Sequence, residues 1–237
     1  EDADIDAAVA GVLFSAFVAS GQTCVAGSRI IVHESIYEEF AKRLAQRADQ
    51  IRLGDPMDES TQMGPVICRT SLDRCKAFIK TAKAQGARQI SGLDLLELDG
   101  ELINGFYIRP TVFADVKADH TLFLEEVFGP VISLTKVSND EEAISCANAG
   151  DFGLGVSIWS RDIGRAHRLS KKIRGGVIWL NDHHRNDPRS VWGGVKDSGF
   201  GKENGWDALR AYLTKKSIVI RTQEGYDDWF KDGQRYG

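Results

Sequence analysis

The sequence predicts an α/β fold: a mostly parallel sheet flanked by helices. Two observations lead there. Short β-branched segments alternate with amphipathic helical stretches along most of the chain, the pattern of repeated βαβ units. Turn residues punctuate that alternation, with Gly21, Gly54-Asp55-Pro56, Gly86 and Gly175-Gly176 each closing one segment before the next begins. No internal repeat or low-complexity linker interrupts it.

Apolar positions Ile5, Ala8, Val9, Val12 and Ala16 recur at helical spacing, so a helix is expected to about Phe17, capped by Asp2 or Asp4. Ser28–His33 is β-branched and reads as a strand. Ser35-Ile36-Tyr37-Glu38 is a capping-box pattern opening a helix whose buried face is Tyr37, Phe40, Ala41, Leu44, Ala48 and Ile51. A second helix runs from about Ser71 to Gln85, with Gly86 as its stop. Strands are expected at Arg88–Ser91 and Tyr107–Phe113, separated by the turn-rich excursion Gly92–Gly105. Strand Val131–Leu134 precedes a second capping box, Ser138-Asn139-Asp140-Glu141, and a helix to about Asn148. Strand Val156–Ser160, helix Asp162–Ile173 and strand Val177–Leu180 follow, then a helix near Asn204–Tyr212 and a final strand Ser217–Arg221. The polar, aromatic-punctuated tail after Arg221 has no core of its own.

Composition narrows the function. With 42% hydrophobic and 27% charged residues the chain is an ordinary globular one. A net charge of −4 with cations interleaved among acids gives no footprint for nucleic acid. The apolar run Ala7–Ala19 is shorter than the ~20 residues a bilayer span needs. Glu1, Asp2, Asp4 and Asp6 sit where a signal peptide would be positive, so no membrane partner is expected. The four cysteines (Cys24, Cys68, Cys75, Cys146) form no C-x-x-C pair, which argues against a disulfide scaffold or zinc knuckle and for a reducing, cytoplasmic location. His183 and His184 are adjacent, point to opposite sides of an extended chain, and make a poor metal clamp, so no metal site is expected. The chain opens at Glu1, inside the first turn of a helix, and residues upstream of it are expected.

The segment FVASGQTCVAGS, Phe17 to Ser28, carries the chemistry. A cysteine follows a Gly-Gln turn between a buried helix and a strand, where Gly21 permits sharp reversal and close backbone approach. Backbone N–H groups there could activate the thiol and stabilise an oxyanion formed on attack at a carbonyl. A small buried hydrophobe is the other reading of any cysteine, and the one taken for Cys68, Cys75 and Cys146. Spacing alone leaves both readings open for Cys24. Gly199-Phe200-Gly201-Lys202-Glu203-Asn204-Gly205 has the spacing G-x-G-x-x-x-G with no strand leading into it, so it is a turn and not a dinucleotide fingerprint.

Five blocks, spread in order over about residues 1–221, carry a resemblance. Phe17-x-x-x-Gly21-Gln22-x-Cys24-x-Ala26 resembles the active-site cysteine signature of the aldehyde dehydrogenase superfamily. Glu125-Glu126-Val127-Phe128-Gly129-Pro130 is similar to that family's E-E-x-F-G-P block, and Gly105–Phe113 to its G-x-[FY]-x-x-P-T-[VI] strand. Ala147-Asn148 through Phe152-Gly153-Leu154 and Trp192-Gly193-Gly194 through Gly201-Lys202-Glu203 resemble two further family elements. The resemblance implies an enzyme in which Cys24 attacks an aldehyde to give a thiohemiacetal, its oxyanion held by the Cys24 N–H. Hydride then passes to NAD or NADP, and water hydrolyses the thioacyl enzyme to the acid. It also implies that Glu126 hydrogen-bonds the nicotinamide ribose and that Phe128 supports the nicotinamide ring. Thr23 and Trp192 would face the substrate pocket, Trp192 as a plain apolar wall or by cation–π attraction to a cationic aldehyde. The loop Asp182–Arg189 would line the pocket mouth, with His and Arg residues unusual for an apolar channel.

By the same resemblance, residues 1–213 form the cysteine-bearing catalytic domain. Residues 214–237 hold an oligomerisation strand, about Lys216–Arg221, and the tail, so a homo-oligomer, dimer or tetramer, is expected. The family's general base lies in an E-L-G-G-K block upstream of the position of Glu1, and the rest of its cofactor-binding domain further upstream. Neither is in this sequence, so these 237 residues alone are expected to be inactive. The alternatives are a cofactor-independent thiol esterase using Cys24 and a non-enzymatic oligomerisation module.

Overall fold

A computed structural model describes residues 1–94 and 96–225. Helix α1 (Ile5–Phe17) begins at Asp4, whose carboxylate accepts the Ala7 N–H at 3.1 Å. Strand β1 (Arg29–His33) leads into α2 (Tyr37–Asp49) through one 3-10 turn, Glu34–Ile36. The Ser35 capping box does not form. The His33 ring Nδ1 accepts the Ser35 N–H (3.2 Å) and contacts the Ser35 hydroxyl (2.8 Å), so the histidine caps this turn in place of Ser35. Helix α3 (Arg69–Ala84) stops at Gly86, whose φ of +86° suits glycine.

Strands β2 (Arg88–Gln89) and β3 (Thr111–Ala114) follow. β3 starts later than expected because Pro110 has no N–H to give a ladder, and the Tyr107 hydroxyl is spent on the Gly54 carbonyl at 2.9 Å. After α4 (Thr121–Leu124) and β4 (Val131–Val137), helix α5 (Asp140–Asn148) is capped one residue later than predicted. Asn139 accepts the Glu142 N–H at 2.9 Å, and Glu142, not Glu141, reaches back to the Ser138 N–H at 2.8 Å. The remaining elements are β5 (Phe152–Gly153), β6 (Gly155–Ile158), α6 (Ile163–Ser170), β7 (Val177–Leu180), β8 (Val195–Lys196) and α7 (Gly205–Ala211).

The main sheet has the order β1-β4-β3-β2, parallel except for the antiparallel edge strand β2. Arg29 lies opposite Ser133, and Thr111 opposite Val131. β6 and β7 form a separate parallel pair, and β5 and β8 a short antiparallel one. Helices α1 and α2 pack with the sheet through Val9, Val12, Tyr37, Leu44, Val112, Ile132 and Leu134. A second cluster joins α3 and α4 to it through Cys75, Phe78, Phe113, Phe123 and Val131. Each large side chain fully buried there contributes about 1.5–3 kcal/mol.

β1 and β6 each leave one edge unpaired, and both border a cavity of about 370 Å³. Among the described residues no helix is long and apolar enough to cross a membrane. The segment expected as a final strand, 217–221, joins no sheet among the described residues, and Ile218, Val219 and Ile220 are 77%, 92% and 77% exposed. Most of the tail, residues 226–237, lies outside the described residues.

Candidate active site

Helix α1 ends in a reversal of three consecutive left-handed residues, Ala19 (φ 51°), Ser20 (φ 56°) and Gly21 (φ 70°). The first two are costly for residues with a Cβ, and the surroundings hold them there. The Ser20 hydroxyl donates to the carbonyls of Gly64 (3.0 Å) and Pro65 (3.2 Å), and Gln22 Oε1 accepts the Ile67 N–H at 2.9 Å. Gly21 then passes so close to the Gly129 backbone that a Cβ would sit 2.6 Å from its carbonyl carbon and oxygen. The glycine of one sequence block is thereby seated on the glycine of another.

Cys24 follows at the corner of a tight turn closed by the Ala26 N–H on the Thr23 carbonyl at 2.9 Å. Its thiol is exposed, whereas Cys75 is buried and its thiol pushed up to about 11 by burial. No backbone acceptor among the described residues takes the Cys24 or Val25 N–H, so both remain available beside the sulfur. The next turn is anchored by the Gly27 N–H on the Ser15 carbonyl (3.1 Å), which ties it back to α1.

Glu126 and Phe128 sit on the stretch entering β4. Arg74 of α3 grips this stretch by donating to the Glu126 carbonyl and, at 3.0 Å, to the Val127 carbonyl. Phe128 is held at φ 55° and is 42% exposed. The Glu126 side chain is exposed, with no hydrogen bond or ion pair to any described residue. Cys24 and Glu126 both line the cavity beside β1 and β6. Thr23, Phe128 and Trp192 do not.

Thr23 contacts His184 instead, Oγ1 to Nε2 at 3.4 Å. Trp192 is fixed by a two-way backbone bridge to Glu203 (2.8 and 2.7 Å) and stands edge-on to Trp179, ring centroids 6.3 Å apart. The loop 182–189 satisfies its own charges: Arg185 pairs with Asp182 at 2.8 Å and Arg189 with Asp187 at 3.0 Å. The two histidines do not point apart as an extended chain would have them. His184 adopts φ 68°, which breaks the alternation, and the ring centroids lie 5.3 Å apart with both rings against the nucleophile turn. Among the described residues no three His, Cys, Asp or Glu side chains gather as metal ligands. The backbone contacts of Arg74 and His183 are what sequence reasoning missed. Each acts on backbone far away in the sequence, where periodicity and motif spacing carry no signal.

A profile of the aldehyde dehydrogenase family matches residues 1–218. The betaine aldehyde dehydrogenase of Brucella anthropi is 40% identical over 220 residues, covering 93% of this chain and 45% of that protein. A crystal structure of betaine aldehyde dehydrogenase from Staphylococcus aureus in complex with NAD+ superposes with a TM-score of 0.90 at 37% identity, covering 97% of this chain and 46% of the other. PnpE in complex with nicotinamide adenine dinucleotide superposes at 0.91 with 39% identity, covering 98% and 47%. The chain spans about half the length of these relatives.

Proposed function

Because this chain belongs to the aldehyde dehydrogenase family, we propose that it forms the cysteine-bearing part of an enzyme that oxidises an aldehyde to a carboxylic acid with NAD or NADP. The observation that carries this reading is the Cys24 turn: an exposed thiol at a rigidly anchored corner, with the Cys24 and Val25 N–H groups unspent beside it. As a thiolate, Cys24 attacks the carbonyl carbon, and the carbonyl oxygen takes up negative charge within reach of the Cys24 N–H. The turn is pinned before attack, so little reorganisation is needed when that charge develops. Nicotinamide, where bound, would supply the acceptor for the hydride lost from the thiohemiacetal carbon as the thioester forms.

Glu126, an acceptor free of competing partners, fits the ribose hydroxyls of that cofactor, and the exposed Phe128 fits an apolar support for a planar base. Thr23 and Trp192 are assigned to the substrate side, with the aldehyde as small-molecule partner. Residues 1–213 form the catalytic domain, and residues 214–237 serve assembly, with the apolar segment Ile218–Ile220 adding to a second subunit in a dimer or tetramer. The protein works in the cytoplasm. In this reading the 237-residue chain holds a nucleophile without the glutamate of an E-L-G-G-K block to activate the deacylating water. It therefore shows negligible aldehyde oxidation when assayed alone with NAD or NADP and varied aldehydes by absorbance of the reduced cofactor. Robust turnover by the pure chain refutes that division of labour.

A further inference from the structure

The residue after the nucleophile is held by a side chain from the other end of the chain. The His183 ring, 5% exposed, lies between the Val25 carbonyl, 2.8 Å from Nε2, and the Ser157 hydroxyl of β6, in hydrogen-bond contact with Nδ1. A carbonyl oxygen can only accept, so Nε2 carries the proton and donates to Val25. In a neutral ring Nδ1 is then a bare acceptor, and the Ser157 hydroxyl donates to it. Burial lowers the His183 pKa, which favours that neutral form. Trp179 of β7 covers the ring, centroids 4.7 Å apart, and its own indole N–H is spent on the Arg185 carbonyl at 2.7 Å. The ring thus has one donor, one acceptor and one packed face, all used.

We propose that His183 is a positioning residue for Cys24: by donating from Nε2 to the Val25 carbonyl it clamps the nucleophile turn to the β6–β7 pair and restrains the turn that carries the Cys24 and Val25 N–H groups. The peptide plane that it holds is Val25–Ala26, whose N–H edge is already on the Thr23 carbonyl, so His183 fixes the opposite, carbonyl edge of that plane. Released at that carbonyl, the plane is held on its N–H edge alone, and the Cys24 and Val25 peptides before it lose that restraint. This inference rests on Cys24 being the nucleophile. Its test needs neither aldehyde nor cofactor, so failure of the clamp and failure of the dehydrogenase reading are separable.

The test compares two substitutions in the 237-residue chain. His183→Gln loses the ring but keeps an N–H donor at the Nε2 position. His183→Phe keeps the ring volume and loses the donor. Alkylation of Cys24 by iodoacetamide at neutral pH is followed by peptide mass spectrometry, with Cys68 as the internal control. Amide hydrogen exchange over residues 20–27 is read in the same samples. His183→Phe is expected to slow Cys24 alkylation by about three- to tenfold, the scale of one lost hydrogen bond. It should also speed exchange in the turn and leave Cys68 unchanged. His183→Gln should stay within about twofold of the parent, since the donor survives. The reverse order, with Phe tolerated and Gln impaired, overturns the proposal in favour of simple packing. Equal rates in all three proteins overturn it as well. If His183→Phe does not fold, nitrogen NMR of the parent chain decides. The His183 ring should be the neutral Nε2–H tautomer, and an Nδ1–H ring refutes the clamp.

Discussion

Gly21→Ala is the substitution that most directly tests how the nucleophile turn is built. At Gly21 φ is +70°, and a Cβ would stand 2.6 Å from the Gly129 carbonyl carbon and oxygen and 2.9 Å from the Ala16 oxygen. Placing alanine in the left-handed region costs about 1–2 kcal/mol. All three close atoms are backbone, so no side chain can swing aside, and relieving the overlap costs about 1–3 kcal/mol more. The expected loss is therefore about 2–5 kcal/mol, a large share of the ~5–15 kcal/mol that holds a domain together. Gly86 supplies the control: its φ is +86° with nothing within 4 Å of a Cβ, so Gly86→Ala should cost only the conformational part, about 1–2 kcal/mol. Urea unfolding followed by tryptophan fluorescence measures both, with the m-value checked for constancy. If Gly21→Ala loses no more than Gly86→Ala, the close approach of the Gly21 and Gly129 backbones is not a constraint, and the account of the turn fails.

Two further substitutions follow from buried polar contacts. The Tyr37 hydroxyl, wholly buried, accepts the Asp115 N–H at 2.7 Å and donates to the Leu134 carbonyl at 3.3 Å. Tyr37→Phe leaves that N–H unpaired and should cost about 1–3 kcal/mol in the same unfolding assay. Burial pushes the Tyr37 phenol up to about 12, so its share of stability is present below the ordinary value of 10 and is lost as pH rises through 12. Arg165 holds Asp140 through contacts of 2.6 to 3.2 Å and reaches Glu1 at 2.8 Å. Arg165→Met should cost about 1–2 kcal/mol at neutral pH, between an exposed ion pair and a shielded charge-assisted bond. The Arg165 hydrogen bond holds the Asp140 carboxyl below its ordinary 3.8. Its contribution is therefore complete above that value and disappears as pH falls through the lower folded one. Parent and variant should converge in acid, and a gap that persists unchanged at low pH would contradict the assignment.

What the sequence made legible was local. A cap on α1 from Asp2 or Asp4, Gly86 ending α3 and Val177–Leu180 as a strand follow from neighbours within a few residues, and the structure has all three, with Asp4 as the cap. Both capping boxes were misplaced for a local reason as well: His33 outcompetes one hydroxyl, and Asn139 takes the cap that Ser138 was expected to fill. The position of Cys24 on a glycine-based reversal was legible from the residues around it, while the seating of Gly21 on Gly129 was not, because the two lie in separate blocks. Arg74 acts on carbonyls 52 and 53 residues away, and His183 on one 158 residues away. Such contacts leave no periodic trace. The break between the main sheet and the β6–β7 pair is equally invisible, since parallel strands choose partners across long stretches of chain.

That break bears on how the nucleophile is held. With β1 and β6 both bordering the cavity, no ladder among the described residues joins the two sheets. The turn at Cys24 leans on the main sheet through Gly21 against Gly129, and on the smaller one through Val25 and His183. It is a strap across a joint that is also tied elsewhere, by Trp159 against the α1 core and by the Ser160 hydroxyl on Asp2. Of these links the span from Gly21 to Val25 is the one that carries the thiol.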